Sequence, residues 1–352
     1  MKKINCALVL AFNDFIRASK RGKRRLSSGS KISPGTIRGY EQTLRVIQEF
    51  SLSNSKVPEL THLRSQSPEQ MRKQVRIWKK FTKEIRESFC NKEGFSDSYV
   101  QLHFKNLKTF LHYMERDKGW RLGPVGSCFN LNPKTMAPVV LSPEQVQYLF
   151  SNEEFLKKLP GSFKRIRIIF LIGCFTGLRF SDLMSLRKSN LILTDGKISI
   201  RLVTQKTGQV LDIPLPGEAI LLLKELKGNR TIYLLPRISS VNFNLKIKKL
   251  IEIAGWNYLF PKYQGKAGKL TELKKEGGRS WCFHEHITAH TMRRTAITTL
   301  LRRGVPENIV RAISGHAPGS KEFYKYVSLS KNWMEQEVLN AWSYLTPSKD
   351  SQ

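Results

Sequence analysis

The stretch from Ala289 to Val327 constrains the fold of this chain more than any other. Apolar residues recur in it at helical spacing, and Gly304 followed by Pro306 ends the first helix. A second helix then runs to the pair Gly315-His316, and a short loop leads to two tyrosines. The pattern predicts two consecutive helices, with polar side chains gathered where the helices and the loop meet.

Polar side chains of this stretch suit chemistry on a phosphodiester. His290 and Arg293 are three residues apart, so they share one face of the first helix. His316 ends the second helix, and Tyr324 and Tyr326 follow the loop. A tyrosine can attack phosphorus, an arginine can hold the non-bridging oxygens, and a histidine can carry a proton. The stretch therefore predicts part of a site that cleaves a phosphodiester without a metal.

Two further residues earlier in the chain fit the same chemistry. Arg179 stands in TGLR, directly after a buried apolar helix, and Lys206 lies at the tip of a predicted hairpin. Each candidate alone has an ordinary explanation: a salt-bridged helix start for Arg179, a solvated turn for Lys206, a surface pair for His290 with Arg293, and a helix C-cap for His316. Their order favours the functional interpretation, because the chain carries no metal triad, phosphate-binding glycine loop or GxSxG motif.

The charge balance indicates a polyanionic partner. The chain has 60 Lys and Arg against 28 Asp and Glu, a net charge of +32, and the excess occurs in both halves. Such an excess is typical of nucleic-acid binding. Five scattered cysteines without a CxxC pair argue against a metal site or a disulfide framework and fit the cytoplasm. The N-terminal apolar run is too short for a signal peptide, and no segment is long enough to span a membrane.

Periodicity and turn residues predict two domains. Residues 1–120 read as a basic helical domain, residues 121–141 as a Gly- and Pro-rich interdomain linker, and residues 142–352 as a second domain. Alternating residues at 197–203 and 210–215 predict the hairpin that carries Lys206. The fold class is therefore mostly α with a small antiparallel sheet: an all-α N-terminal domain followed by an α+β domain.

Two stretches of the predicted second domain stand out. Residues 258–285 show no clear period and read as a long basic insertion. Residues 331–343 predict a terminal amphipathic helix with an apolar stripe.

The order Arg, hairpin Lys, HxxR, GH and Tyr resembles that of the tyrosine recombinases, the phage-integrase family of site-specific DNA recombinases. The likeness lies in CFTGLRFSDLMSL, TQKTGQVLDIPL, HTMRRTAITTLLRRGVPENIVRAISGH and FYKYVSLSK. In the N-terminal half, SPGTIRGYEQTLRVIQEF and DSYVQLHFKNLKTFLHYMERDKGW look like helices of the family's core-binding domain. The resemblance therefore implies that residues 1–120 are a core-binding, DNA-binding domain and that residues 142–352 are the catalytic domain.

The resemblance implies a catalytic role for each matching residue. Arg179 and Arg293 would hold the phosphate, and Lys206 would protonate the leaving 5′ oxygen. His290 would assist the phosphate and accept the proton of the tyrosine, while His316 would hydrogen-bond the phosphate.

The nucleophile is the one ambiguous assignment. Tyr326 fits the family's F-x-x-Y-[IV] ending best, and Tyr324 stays the alternative. The number of residues between His316 and either tyrosine differs by one from the commonest family spacing, so the loop length does not decide between them.

The resemblance also implies how the protein works. Two domains would close around double-stranded DNA, and a homotetramer would act on two specific recombination sites. Exchange would proceed through 3′-phosphotyrosyl intermediates and a Holliday junction, for integration, excision or inversion, with neither ATP nor a metal cofactor. Accessory DNA-bending proteins are candidate partners, and the terminal helix would dock on a neighbouring protomer or on its own domain. Alternatives are a type IB topoisomerase and a catalytically inactive DNA-binding protein.

Overall fold

A computed structural model gives the fold of most of the chain. Compactness divides the chain into two units, Met1–Met136 with Tyr263–Leu273 and Ala137–Lys262 with Lys274–Gln352. The structure describes residues 7–53, 57–63, 67–92, 94–134, 136–226, 231–327 and 338–339.

Helices supply most of the described structure, and the described strands form two small antiparallel sheets, which confirms the predicted mostly-α class. The helices are α1 (Ala7–Lys20), α2 (Pro34–Ser53), α3 (Pro68–Glu87), α4 (Asp97–Arg116), α5 (Pro143–Ser151), α6 (Glu153–Lys158), α7 (Gly161–Thr176), α8 (Phe180–Ser185), α9 (Gly217–Glu225), α10 (Ser240–Ile253), α11 (Phe283–His286), α12 (Ala289–Arg302), α13 (Glu307–Ser314) and α14 (321–327). The strands are β1 (Leu191–Thr194), β2 (Lys197–Val203), β3 (Val210–Pro214), β4 (Lys262–Lys266) and β5 (Lys269–Leu273).

In the first unit, α1 to α4 bury apolar stripes that the sequence spaces at helical intervals. Phe12 and Phe15 of α1 meet Phe110 of α4, with ring centroids 5.0 and 5.6 Å apart. Trp78 of α3 packs on Phe129 at 5.6 Å. Burial of each such side chain contributes about 2–3 kcal/mol to folding. Buried apolar residues of all four helices belong to one core cluster with Phe129.

The segment predicted as a linker, residues 121–141, is partly built into this core. Leu122, Val125 and Phe129 are buried among the aromatic residues of the first unit. The division in sequence between the two compact units, after Met136, falls within this segment. The burial of these three residues was not predicted, because they lie in and around a 3₁₀ turn, which lacks the 3.6-residue period of an α-helix.

The segment predicted as a basic insertion, residues 258–285, contains the hairpin of β4 and β5. Its turn includes Gly268, with φ of +83°, and the Gly268 N–H donates to the buried Asp97 carboxylate at 2.7 Å. Gly265 passes so close to Lys134 that an added Cβ would lie 2.6 Å from the Lys134 carbonyl oxygen. The hairpin thus adds two strands to a unit whose predicted elements are all helices.

In the second unit, α7 runs through the core. Nearly every residue from Ile166 to Thr176 is buried, which explains why its apolar residues continue around the whole helix. Helix α12 packs on α7 where Gly173 lies against Met292, and any Cβ on Gly173 would overlap the Met292 side chain. This close packing brings the C-terminal end of α7 beside the first turns of α12.

The predicted hairpin is confirmed as β2 and β3, with Val203 paired to Val210. Strand β1 adds a third strand, antiparallel to β2, that sequence patterning did not assign. The buried face of this sheet carries Ile200, Leu202 and Leu211 into the core of the second unit.

Among the described residues, no helix is both long and apolar enough to cross a membrane. The predicted terminal helix at 331–343 lies outside the described residues, apart from 338–339, whose side chains are exposed.

Candidate active site

Arg179 lies in the turn that follows α7. The helix closes at Gly177, whose φ of +63° is in the left-handed region that glycine adopts without strain. Leu178 is buried, and Arg179 then starts α8 as its N-cap residue. The Arg179 side chain is 22% exposed, so the turn places a guanidinium at the edge of the core.

Arg293, on α12, is almost fully buried, with 2% of its surface exposed. Its Nη1 donates to the Gly177 carbonyl at 2.9 Å, and its Nη2 donates to the Ser314 carbonyl at 2.5 Å. Burial, together with repulsion from the Arg179 guanidinium, lowers the pKa of Arg293 to about 10. The residue is therefore still a cation at neutral pH, and it joins the ends of α7 and α13.

The Gly315-His316 pair follows α13 and packs against the β2–β3 hairpin. Gly315 ends α13 with φ of +62°. A Cβ on Gly315 would lie 3.1 Å from Gln209 Oε1 and 3.4 Å from Leu211. Glycine suits this position because φ is positive and an added Cβ would press on both side chains. The end of α13 can therefore lie against the start of β3, which places His316 next to the hairpin.

The protonation state of His316 follows from its neighbours. Ser314 Oγ donates to the Val310 carbonyl at 2.6 Å, so it is left to accept from His316 Nδ1 at 2.8 Å. Arg293 Nη2 lies 3.3 Å from Nδ1 and 3.2 Å from Nε2, so the tautomer follows from Ser314 alone. Burial, and then the guanidiniums of Arg293 and Arg179, lower the pKa of His316 to about 4. His316 is therefore neutral at pH 7, with its proton on Nδ1.

His290 is the second residue of α12, in its first turn. His290 is partly exposed to solvent, yet the protein packed around its ring lowers the pKa of the imidazole to about 4. Desolvation is the largest cause, and the guanidiniums of Arg294, Arg293 and Arg179 add to it. His290 is therefore a neutral imidazole close to Arg179 and Arg293, which are called the arginine pair below.

Helix α14 separates the two tyrosines. Phe323 and Tyr326 share its buried face, where Tyr326 is 5% exposed and its ring centroid lies 6.0 Å from that of His316. Tyr324 is 51% exposed and lies beside Arg311. Two residues correspond to about 200° of helical rotation, so the two phenols cannot face the same cluster. The one on the side of His316 is Tyr326.

Lys206 lies in the exposed loop between β2 and β3. The buried carboxylate of Asp182 accepts the backbone N–H of the preceding residue, Gln205, at 2.9 Å. Its other oxygen lies 3.9 Å from Arg179 Nη1. Asp182 therefore connects the loop that carries Lys206 to the turn that carries Arg179. Sequence reasoning missed this residue, because an acidic side chain in the first turn of a helix is ordinarily assigned to the helix dipole.

The structure gathers five of the six predicted residues into one cluster. These are Arg179, His290, Arg293, His316 and Tyr326. Lys206 is connected to the cluster through its neighbour Gln205.

The charge of this cluster is positive, because two guanidiniums face one buried carboxylate and the imidazoles are neutral. Such a set of donors suits a single tetrahedral anion such as a phosphodiester. Within the described ranges, no group of three or more His, Cys, Asp or Glu side chains is placed to hold a metal ion.

The sequence of this chain is similar to those of known proteins. The profile described as "Phage integrase family" matches residues 140–332. Tyrosine recombinase XerA of Thermococcus kodakarensis is 26% identical over 228 residues, which are 64% of this chain and 69% of that protein. Tyrosine recombinase XerD of Listeria innocua is 26% identical over 245 residues, 68% of this chain and 75% of that protein. Transposase A from transposon Tn554 of Staphylococcus aureus is 24% identical over 254 residues, 68% of this chain and 61% of that protein.

Solved structures share the fold. The Tn1549 transposon integrase in complex with circular intermediate DNA superposes with a TM-score of 0.60 at 18% identity, over 92% of this chain and 95% of that one. The XerH site-specific recombinase, bound to palindromic difH substrate after cleavage, superposes with a TM-score of 0.59 at 15% identity, over 96% of this chain and 98% of that one.

Proposed function

Because this chain belongs to the phage integrase family, we propose that it is a site-specific recombinase that cuts and rejoins DNA through a covalent phosphotyrosyl intermediate. The clustering of Arg179, Arg293, His316 and Tyr326 is the observation that carries this proposal, because they come from separate segments of the chain. The net charge of +32 fits a DNA substrate.

In the proposed cleavage step, the phenol oxygen of Tyr326 attacks phosphorus. The bond from Oη to phosphorus forms and the bond from phosphorus to the 5′ oxygen breaks. Arg179 and Arg293 neutralise the charge that develops on the non-bridging oxygens. The phenol proton passes to neutral His290, and Lys206 gives a proton to the leaving oxygen. Attack by another 5′ hydroxyl reverses these steps and rejoins the strand without ATP.

His316 changes its protonation state in this scheme. In the free protein its Nδ1 hydrogen is used by Ser314, and Nε2 carries none. An anionic phosphate beside the ring stabilises the protonated form and raises the pKa. Nε2 then has a hydrogen to donate to the phosphate.

The proposal includes partners. The solved relatives described above are complexes with DNA, one with circular intermediate DNA and one with difH. For this chain we propose double-stranded DNA with specific recombination sites, bound by a homotetramer in the cytoplasm, with accessory DNA-bending proteins as further partners. The residues assigned to the terminal helix, 331–343, are proposed to join neighbouring protomers.

Covalent trapping tests the proposal. Binding sites are first selected from random DNA with the Tyr326→Phe protein, and a nicked suicide substrate is then built on the selected site. We expect the wild type and Tyr324→Phe to form a covalent adduct on a denaturing gel, and Tyr326→Phe to form none. An adduct with Tyr326→Phe, and none with Tyr324→Phe, would transfer the nucleophile to the other residue.

Two further readouts separate the alternatives. Any covalent adduct excludes an inactive DNA-binding protein. A Holliday junction formed from two sites distinguishes a recombinase from a type IB topoisomerase, which relaxes DNA at one site. Affinity for the selected site should fall steeply as salt rises, because bound cations are released from DNA; a flat response contradicts binding by the charge excess.

A further inference from the structure

Arg311 has contacts that the proposed reaction does not use. It lies on α13, and its side chain is 13% exposed. Its guanidinium carbon lies 4.1 Å from the centroid of the Phe323 ring and 5.0 Å from that of the Tyr324 ring. These rings belong to consecutive residues of α14, the helix that also carries Tyr326. A single side chain therefore contacts two neighbouring rings of the nucleophile helix.

Arg311 also contacts the turn that precedes α14. The Ser320 N–H donates to the Ala317 carbonyl at 3.2 Å, and Gly319 has φ of +72°, as expected at the third position of a type II turn. Arg311 Nη1 donates to the same Ala317 carbonyl at 3.4 Å. The Arg311 carbonyl accepts the His316 N–H at 3.1 Å. The residue therefore makes contact from the end of α13 to the start of α14.

The orientation of α14 depends on such contacts. A helix in a protein gains most of its stability from the packing of its buried face, which for α14 carries Phe323 and Tyr326. Phe323 is completely buried, with Arg311 near its ring and the His316 ring 5.4 Å away. Rotation of α14 by about 200° would replace Tyr326 with Tyr324 on the side of the cluster. The packing of Phe323 and Arg311 opposes that rotation.

We propose that Arg311 is a positioning residue for the nucleophile, which fixes the orientation of α14 so that Tyr326 rather than Tyr324 faces the arginine pair. This inference rests on the proposed function, because it takes Tyr326 as the attacking residue. The Arg311 side chain takes no part in the hydrogen bonds that Arg293 donates to backbone carbonyls, so we expect its loss to leave Arg293 in place. Without the contacts between Arg311 and α14, the phenol oxygen of Tyr326 is no longer held in line for attack on phosphorus. A misplacement of about 1 Å can lower a rate about 100-fold.

The first test compares cleavage with binding. Cleavage of the nicked substrate is followed in a single turnover with protein in excess, and Kd is measured by fluorescence anisotropy. We expect Arg311→Ala to lower the cleavage rate about 10- to 100-fold and to change Kd less than about twofold. Glu307→Gln is the matched control, because it removes the ion pair to Arg311 and leaves the stacked rings. An unchanged rate in Arg311→Ala, or a rate and affinity reduced by the same factor, overturns the proposal.

A second pair of variants keeps the test independent of folding. Tyr324 is half exposed, so its replacement leaves the core intact. Tyr324→Phe keeps the stacked ring and should cleave at the wild-type rate. Tyr324→Leu removes that ring and should cleave several-fold more slowly. Equal rates for the two variants overturn the idea that stacking with Arg311 orients α14.

A sulfur substrate separates positioning from proton transfer. When sulfur replaces the bridging 5′ oxygen, the leaving thiolate needs no proton. That substrate should restore cleavage by Lys206→Ala and leave Arg311→Ala slow; restored cleavage by Arg311→Ala overturns the positioning role. Failure of the wild type to cleave either substrate refutes the proposed function itself. Wild-type cleavage with an unaffected Arg311→Ala refutes only the role of Arg311.

Discussion

Two buried arginines of the second unit, one within α7 and one beside its C-terminal end, have contrasting surroundings. Arg167 and Arg293 are both 2% exposed. Arg167, in the first half of α7, donates to the carbonyls of Leu149 and Phe150 and forms an ion pair with Glu225 at 2.5 Å. A carboxylate therefore compensates its charge, as a buried cation ordinarily requires.

Arg293, beside the C-terminal end of α7, has a different environment. Its hydrogen bonds to the protein backbone go to the neutral carbonyls of Gly177 and Ser314, and the charged group that lowers its pKa is another cation, Arg179. The carboxylate of Asp182 only partly opposes this repulsion. The difference shows how a structural arginine is distinguished from one arranged for a ligand: the second lies beside another cation, and an added anion would neutralise this repulsion.

The largest expected effect is on Arg293. We expect Arg293→Gln to lower the single-turnover cleavage rate by about 10³-fold, because one arm of the phosphate site is lost. The free energy of unfolding should change by less than about 1 kcal/mol, since lost hydrogen bonds are offset by relief of the repulsion from Arg179. Urea denaturation measures the second quantity. A variant that cleaves normally but unfolds easily would make Arg293 a structural residue like Arg167.

The converse variant is Arg167→Met, which keeps the volume of the side chain. We expect it to lose about 3 kcal/mol of unfolding free energy, because two buried carbonyls and Glu225 lose their donor. Its cleavage rate, measured well below the unfolding midpoint, should stay within about threefold of wild type. Strong loss of cleavage with normal stability would remove the contrast between the two arginines.

Part of the fold and of the site could be predicted from the sequence, but the contrast between the two arginines could not. Helical periodicity and the alternation at 197–203 and 210–215 were sufficient for the mostly-α class and the Lys206 hairpin, because both are local signals. The order of motifs was sufficient to select the segments that cluster. Arg165 and Arg167, however, stand two apart in one basic helix start, and only the second is buried. That outcome depends on Glu225, 58 residues along the chain.

Other features were beyond prediction for the same reason. The carboxylate of Asp182 accepts a hydrogen bond from the backbone N–H of Gln205, which lies 23 residues later in the hairpin loop. The β4–β5 hairpin joins the first unit through the carboxylate of Asp97 and the N–H of Gly268, a pair separated by 171 residues. Contacts at such separations leave no periodic pattern in the sequence, so only a three-dimensional structure reveals them.

Binding of a free anion should sharpen the comparison. Inorganic phosphate at ten times its Kd would stabilise the folded protein by about 1.4 kcal/mol if it binds only that state. We expect this rise in melting temperature in the wild type and in Arg167→Met, relative to chloride at equal ionic strength. Arg179→Gln should abolish it. The same rise in Arg179→Gln would show that phosphate acts elsewhere on the basic surface.

The smallest expected effect concerns pH, and it follows from the neutral state of His316. Its pKa is about 4 in the folded protein against an ordinary 6.5, so the unfolded chain takes up the proton first as pH falls. The stability from this group is fully present above about pH 6.5 and is lost as pH falls towards 4. The full shift corresponds to an upper bound of about 3 kcal/mol, and partial exposure of the ring reduces our expectation to about 1 kcal/mol.

The difference between the wild type and His316→Gln isolates this contribution, because carboxylates and other histidines titrate in both proteins. We expect the wild type to lose more unfolding free energy than the variant between pH 7 and about pH 4.5, by urea denaturation. Saturating phosphate should reduce the difference, since the anion favours the protonated ring beside Arg293 and Arg179. Parallel pH curves for the two proteins would mean that burial and the arginine pair do not hold His316 neutral, and the contrast with the compensated Arg167 would then rest on geometry alone.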